Sequence, residues 1–121
     1  FYPTLLELSG TAGDTTHNAN VDGLSLTPLL HNPTGTLKRE AIYWHYPHYN
    51  VLLGVPHSSL RSGRYKLIEF YEGNRLELYD LETDLGEQSN LVTEFPAKSR
   101  ALRKQLHTWR NRVGAQSPSP R

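Results

Sequence analysis

The chain has 121 residues, with 13 basic and 12 acidic side chains, so its formal net charge at neutral pH is +1. A charge this small does not call for an anionic partner such as a nucleic acid. The chain has no cysteine, which excludes disulfides, zinc–thiolate sites and a cysteine nucleophile within it. It also has no run of about eighteen apolar residues of the kind that crosses a membrane.

The first 38 residues are predicted to form a short helix and a long connection. In FYPTLLELSG, Pro3 comes early and Gly10 comes at the end, which is typical of a helix of about two turns. Residues 9–37 contain four glycines and two prolines, with one further helical turn expected over Ser25–Leu30. Because a connection of this length is uncommon inside a compact domain, we expect it to lie across a larger body.

The middle of the chain is predicted to form an antiparallel sheet of three or four strands. β-branched and aromatic residues are concentrated in short runs that proline and glycine separate. The polar turn EGN at 72–74 predicts a hairpin between the last two runs, and period-2 alternation assigns Leu76 and Leu78 to one face. The predicted strands are Glu40–Tyr46, Ser58–Gly63, Tyr65–Tyr71 and Leu76–Leu81.

The last element is predicted to be an amphipathic helix over Pro96–Val113, followed by a disordered tail at 115–121. Its opposite face is basic, but no aromatic residue is interleaved among the cations, so we interpret it as a solvated face and not as a nucleic-acid interface. The apolar stripe is expected to cover one face of the sheet. That stripe consists of Phe95, Leu102, Leu106, Trp109 and Val113. Together these elements predict an α+β fold, a small antiparallel β-sheet with a C-terminal helix packed on one face.

The residues that could carry chemistry do not form a catalytic motif. His57 precedes two serines, but no strained turn of the G-x-S-x-G type presents either hydroxyl. His45 lies on a predicted strand and His48 follows three residues later, beyond Pro47; no third ligand is nearby, so a metal site is not indicated. There is also no glycine-rich loop for a phosphate.

Four segments resemble the formylglycine-dependent sulfatases, the arylsulfatase-like family. The clearest is ELYDLETDLGEQSNL, which is similar to the family's ELYDL-x-x-D-P-G-E-x-x-N-L, with Leu85 in place of the usual proline. FYPTLLELSG, VDGLSLTPLL and SSLRSGRYKLI match further family segments in the correct order. The resemblance covers roughly Phe1 to Val92, and the family has its closing helix at the position that follows.

The resemblance implies that the catalytic residues are not in this chain. The family's nucleophile lies in C/S-x-P-x-R, is matured to formylglycine, and is surrounded by ligands for calcium or magnesium, all upstream of the PTLLELSG helix. None of these motifs is present in the sequence. The resemblance therefore assigns residues 1–38 to the tail end of a catalytic domain and 39–114 to the small C-terminal sulfatase domain. It implies no catalytic residue, metal or cofactor within the chain, an inactive isolated chain, and export to periplasm, lysosome or extracellular space.

The segment YWHYPHY, Tyr43–Tyr49, holds four of the twelve aromatic residues and two histidines. In the family, this position leads from the small sheet towards the mouth of the active-site pocket. Histidines can donate hydrogen bonds to hydroxyl or sulfate oxygens, and residues beyond the break at Pro47 lie on a loop. His48, His45 and Tyr49 are therefore the candidates for substrate recognition, whereas Trp44 is interpreted as a packing residue.

The expected partners are a missing N-terminal catalytic domain and a sulfated small molecule or glycan. If the catalytic domain is absent, self-association is expected through Leu5, Leu6 and the faces around Tyr43 and Trp44. Two alternatives stay open: a stand-alone module that binds a glycan or another protein, and part of a related phosphatase or phosphonate hydrolase.

Overall fold

The computed structural model describes residues 1–49 and 54–119. The chain divides into two compact units, an N-terminal unit, Phe1–Arg39, and a C-terminal unit, Glu40–Arg121. The first contains the helices α1 (Tyr2–Ser9), α2 (Thr15–Asn18) and α3 (Thr27–His31). The second contains the strands β1 (Ile42–Tyr46), β2 (His57–Ser62), β3 (Tyr65–Phe70) and β4 (Leu76–Asp80) and the helix α4 (Pro96–Val113). None of the described helices is long and apolar enough to cross a bilayer.

The N-terminal unit is held together by capping groups and by the buried Thr4. Gly10 ends α1 in the left-handed conformation at φ 66°, which glycine adopts without steric cost. The buried hydroxyl of Thr4 accepts a hydrogen bond of 2.9 Å from the backbone N–H of Leu26, at the start of α3. Asp14 caps α2 by accepting a 2.7 Å bond from the N–H of His17, so this short helix, which we did not predict, has a local cause.

The C-terminal unit confirms the predicted antiparallel sheet, with four strands in the order β1-β2-β3-β4. Its core lies on one face, where α4 packs across the sheet. Three fully buried strand leucines meet two helix leucines there: Leu60, Leu67, Leu78, Leu102 and Leu106. Trp109 is half-buried and stacks on Tyr43 with ring centroids 4.7 Å apart. Val113 is 49% exposed, so the apolar stripe of the helix is shorter than its spacing predicts.

A carboxylate fastens the polar side of α4 to the sheet. Glu69 on β3 is buried, and its oxygens lie 2.6 Å from Arg103 Nε, 2.8 Å from His107 Nε2 and 2.8 Å from Arg110 Nη2. Burial acts to raise the pKa of Glu69, but the hydrogen bonds from Arg103 and His107 and the charge of Arg110 outweigh it, so the pKa lies below its ordinary value. Part of the basic face of the helix is therefore an ion-pair contact with the sheet.

The segment ELYDLETDLGEQSNL closes the outer edge of β4. The side chain of Asn90 accepts a 3.0 Å hydrogen bond from the N–H of Leu78 and donates a 3.3 Å bond to the carbonyl of Leu76. The N–H of Leu91 also donates to the carbonyl of Leu78 at 2.8 Å. Asp84 accepts bonds from the N–H groups of Gln88 and Ser89 and shapes the intervening turn. The motif that carries the family resemblance therefore stabilises a sheet edge that would otherwise present unpaired backbone groups.

Candidate functional site

The candidate site lies where β1 ends. Proline cannot donate a ladder hydrogen bond and is excluded from the interior of a sheet. β1 accordingly ends at Tyr46, directly before Pro47, as the sequence predicts. His48 and Tyr49 therefore follow the strand, while His45 is part of it.

His48 is the candidate with an unoccupied imidazole. Its side chain is exposed, and its ring meets the ring of Tyr46 edge-on, with centroids 5.5 Å apart and an interplanar angle of 83°. Within residues 1–49 and 54–119, neither ring nitrogen of His48 has a hydrogen-bond partner. Both nitrogens are therefore accessible to a ligand.

A row of rings across three strands supports this position. Tyr46, His57 and Phe70 are directly opposite one another in the register of β1, β2 and β3. The ring centroids of Tyr46 and His57 are 5.9 Å apart, and those of His57 and Phe70 are 5.7 Å apart. The guanidinium of Arg75 covers the end of the row, 3.5 Å from the centroid of Phe70. The ring of His48 thus rests on a continuous aromatic support.

Tyr49 is tied to the turn between β3 and β4. Its hydroxyl donates a 2.6 Å hydrogen bond to the carboxylate of Glu72. The carbonyl of Pro56 accepts a 3.0 Å bond from the N–H of Tyr71. Tyr49 and Pro56 are therefore attached to consecutive residues, Glu72 and Tyr71.

His45 has a different environment, because it lies on the face of the sheet that α4 covers. Its Nδ1 is 2.9 Å from the hydroxyl of Ser58, and its Nε2 is 2.8 Å from the carbonyl oxygen of Gln116. A carbonyl can only accept, so Nε2 carries a proton, and in the neutral imidazole Nδ1 then accepts from the serine hydroxyl. Both nitrogens of His45 are thus used within the chain, and one of them holds the segment that follows α4.

The sheet face opposite α4, which we name the open face, forms a shallow concavity of about 560 Å³. Trp44 lies on it and is 48% exposed, so this side chain is not packed in the core of its own unit. Lys66 on the same face pairs with Glu87 at 2.6 Å, whereas Arg61 has no carboxylate partner in the described part of the chain. The residues that line the concavity include aromatic and polar side chains, among them Trp44, His45, Tyr46, His57, Arg61 and Lys66.

The described residues do not fit a metal. They contain no group of three or more His, Cys, Asp or Glu side chains that could hold an ion. The sequence also has no cysteine. The calcium or magnesium that the resemblance implies for the rest of the enzyme therefore finds no matching donor set among the described residues.

The fold and the edge-closing motif define the C-terminal domain of a sulfatase. Residues 1–114 match the family model described as N-sulphoglucosamine sulphohydrolase, C-terminal, and the chain belongs to this family. The predicted resemblance is confirmed.

Three curated relatives match most of the chain. It is 33% identical over 120 residues to a sulfatase of Formosa agariphila, covering 90% of this chain and 22% of that protein. It is 31% identical to mouse arylsulfatase K, covering 88% of this chain and 20% of that protein. It is 34% identical to the Delta 4,5-hexuronate-2-O-sulfatase of Bacteroides thetaiotaomicron, covering 83% of this chain and 20% of that protein. The chain spans about a fifth of the length of these relatives, so in each of them the same domain is part of a larger sulfatase.

Solved structures agree with this assignment. BT4656, described in complex with its substrate D-glucosamine-2-N,6-O-disulfate, superposes with a TM-score of 0.73 and 28% identity, covering 98% of this chain and 24% of that chain. BT1596, described as a 2-O GAG sulfatase, superposes with a TM-score of 0.74 and 27% identity, covering 93% of this chain and 24% of that chain.

Proposed function

We propose that this domain belongs to an enzyme that hydrolyses sulfate esters, and that the chain contributes structure and substrate recognition but no catalytic residue. The observation that carries the recognition role is His48, an exposed imidazole with both nitrogens accessible on an aromatic support. The family assignment supports the reaction. The substrate named for BT4656, a disulfated glucosamine, supports a sulfated sugar as the substrate class.

His48 binds the part of the substrate that lies beyond the reacting sulfate. A neutral imidazole offers one N–H donor and one acceptor, which suits a sugar hydroxyl, and its protonated form offers two donors to a sulfate oxygen. Tyr49, the next residue, has its hydroxyl bonded to Glu72, so it supports His48 and does not contact the substrate. His45 contacts the substrate only if its bond to Ser58 or to Gln116 is released, so its geometry favours a supporting role behind His48.

The reaction itself takes place in the rest of the enzyme. There, the resemblance implies a formylglycine and a calcium or magnesium ion, which would supply the nucleophile and stabilise developing charge. This chain's part is to hold the sugar so that its ester reaches that centre.

The open face of the sheet is the surface that meets the rest of the enzyme. α4 already covers the opposite face. On the open face, Ile42 and Trp44 are 40% and 48% exposed, and apolar side chains at this exposure commonly mark an interaction surface when they are contiguous. In the curated relatives, about four-fifths of the protein lies outside the matched domain, which is ample chain to cover this face.

The experiment is a substitution of His48 by alanine in the complete enzyme. The kcat/KM for a sulfated glucosamine should fall about tenfold, the equivalent of one lost hydrogen bond to substrate, because binding to the non-reacting part of a substrate sets discrimination. Activity on 4-nitrophenyl sulfate, which has no sugar, should change less than about twofold.

The matched control is His31→Ala, because His31 is also an exposed histidine but belongs to α3. It should leave both activities unchanged. Equal losses on the two substrates with His48→Ala, or no loss on either, would show that His48 does not recognise the sugar.

A further inference from the structure

We propose that Glu72 and the hydroxyl of Tyr49 are positioning residues, which hold His48 in the orientation that selects among sulfated saccharides. This inference rests on the proposed recognition role of His48. Glu72 lies in the turn after β3, 23 residues beyond Tyr49 in the sequence. The proposal therefore gives this turn a role in substrate specificity.

His48 is restrained on the side of the strand β1. Pro47 has a fixed φ, and Tyr46 lies under the edge of the His48 ring at 5.5 Å. Tyr46 in turn leans on His57 and Phe70, whose positions follow from the register of β1, β2 and β3. The strand therefore supplies a rigid base for the ring, but it cannot by itself fix the chain beyond Pro47.

The chain beyond His48 is restrained by a side-chain hydrogen bond to the turn after β3. Tyr49 is the next residue, and its hydroxyl lies 2.6 Å from Oε1 of Glu72. This length is typical of a hydroxyl that donates to an ionised carboxylate, which is stronger than a bond between neutral groups. His48 is thus placed between the Tyr46 ring and the Tyr49–Glu72 bond.

Glu72 is itself held in position by the turn between β3 and β4. Gly73 and Asn74 take the left-handed conformation, at φ 65° and φ 49°, which fixes the tight hairpin between β3 and β4. Arg75 stacks on Phe70 at the end of the ring row. The same hairpin therefore supports the aromatic row and supplies the carboxylate, so both restraints on His48 have one rigid origin. Placing a recognition group on such a support is what precise discrimination requires.

The test compares variants of the complete enzyme that remove one hydrogen-bonding group each. Tyr49→Phe keeps the ring and removes the hydroxyl, Glu72→Ala removes the acceptor, and Glu72→Gln restores an acceptor. Tyr49→Phe and Glu72→Ala should each raise the KM for a sulfated glucosamine about threefold to tenfold, with kcat and the activity on 4-nitrophenyl sulfate unchanged. Glu72→Gln should recover most of the loss. Tyr65→Phe is the control, because it removes a tyrosine hydroxyl at the other end of β3, and it should have no effect.

A double-mutant cycle separates positioning from direct contact. If Tyr49 acts through His48, then Tyr49→Phe combined with His48→Ala should be no worse than His48→Ala alone. Additive losses would overturn the inference, because they would mean that Tyr49 touches the substrate itself. A loss with His48→Ala but none with Tyr49→Phe would overturn this inference and leave the proposed function standing. No loss with His48→Ala would refute the recognition role itself.

Discussion

The histidines of the C-terminal unit show how neighbouring groups decide what one residue type does. His107 shares the carboxylate of Glu69 with two arginines, and His45 uses both nitrogens to join β1, β2 and the segment after α4. His48 has neither kind of contact among the residues described. The proposed recognition role follows from this difference, since only an uncommitted imidazole can exchange water for substrate without breaking a bond of the fold.

Glu69 leads to a prediction about the pH dependence of stability. Its pKa is lower in the folded chain than the ordinary value of 4.5. The folded state therefore binds fewer protons, so this contribution to stability is present above pH 4.5 and is lost as the pH falls through the lowered pKa. We expect the free energy of unfolding, measured by urea denaturation, to fall as the pH drops below about 4.5.

The Glu69→Gln variant isolates this contribution. At neutral pH it should be about 1–3 kcal/mol less stable, because an amide cannot satisfy two arginines and a histidine N–H as a carboxylate does. Its stability should also vary less with pH below 4.5. Asp80, whose pKa is lowered mainly by the hydrogen bond from Arg64, titrates in the same direction and should remain as the residual slope. An unchanged pH profile in Glu69→Gln would mean that the ion cluster does not stabilise the fold.

At the scale of the elements, α4 is held by leucines in its middle and not by its ends. Leu106 is fully buried, whereas Val113 is 49% exposed. Leu106→Ala should cost about 2–5 kcal/mol of unfolding free energy, the range for a large core side chain. Val113→Ala, which lies on the same predicted stripe, should cost less than about 0.5 kcal/mol, as exposed substitutions do. Similar costs for the two in urea denaturation would contradict this packing.

The segment that closes β4 gives a second prediction at this scale. Asn90 completes the backbone groups of Leu76 and Leu78 with its own amide, in effect acting as a short strand at the sheet edge. Asn90→Ala should lower the unfolding free energy by about 1–2 kcal/mol, since the N–H of buried Leu78 loses its acceptor.

Ser89→Ala is the control for Asn90, because the side chain of Ser89 is exposed on the same segment. We expect it to be nearly neutral. Hydrogen exchange should be faster at the Leu78 amide in Asn90→Ala, and an unaltered exchange rate would show that the edge is protected in another way.

At the scale of the whole molecule, the open face decides how the isolated chain behaves. α4 covers only one face of the sheet, and Trp44 and Ile42 are exposed on the other. In the absence of the rest of the enzyme, we expect the purified 121-residue chain to self-associate through this face. The sedimentation coefficient should rise with protein concentration.

Trp44→Ser should shift the isolated chain towards the monomer, because it removes a large apolar side chain from the open face. Val113→Ser removes an exposed apolar side chain from α4 and should leave the association unchanged. A chain that sediments as a monomer at every concentration would argue against the open face as a contact surface.

The elements and the family could be predicted from local patterns, because these depend on neighbours in sequence. The 3.6-residue spacing and the flanking proline and glycine predict α4 from Pro96 to Val113, and Pro47 predicts the end of β1. Asp14 directly precedes Thr15, the first residue of α2, and an aspartate is a typical N-cap residue that could have indicated this helix. ELYDLETDLGEQSNL predicts the family, but its structural role, which is to close the edge of β4, could not be predicted from the sequence of the segment.

The amino-acid sequence by itself determined which segments are helix or strand, α2 excepted, where β1 stops, and that the chain belongs with the sulfatases. Only the tertiary structure decided which of the candidate residues lie close together. Tyr46, His57 and Phe70 become one row through strand register, and Tyr49 meets Glu72 across 23 residues. The hydrogen bond of His45 Nε2 is made to the carbonyl oxygen of Gln116, which is 71 residues away. Backbone propensity and periodicity act over a few residues, whereas these contacts arise from how the strands pair and where α4 ends. For this reason the sequence predicts three recognition residues, and only these contacts distinguish His48 from the other two.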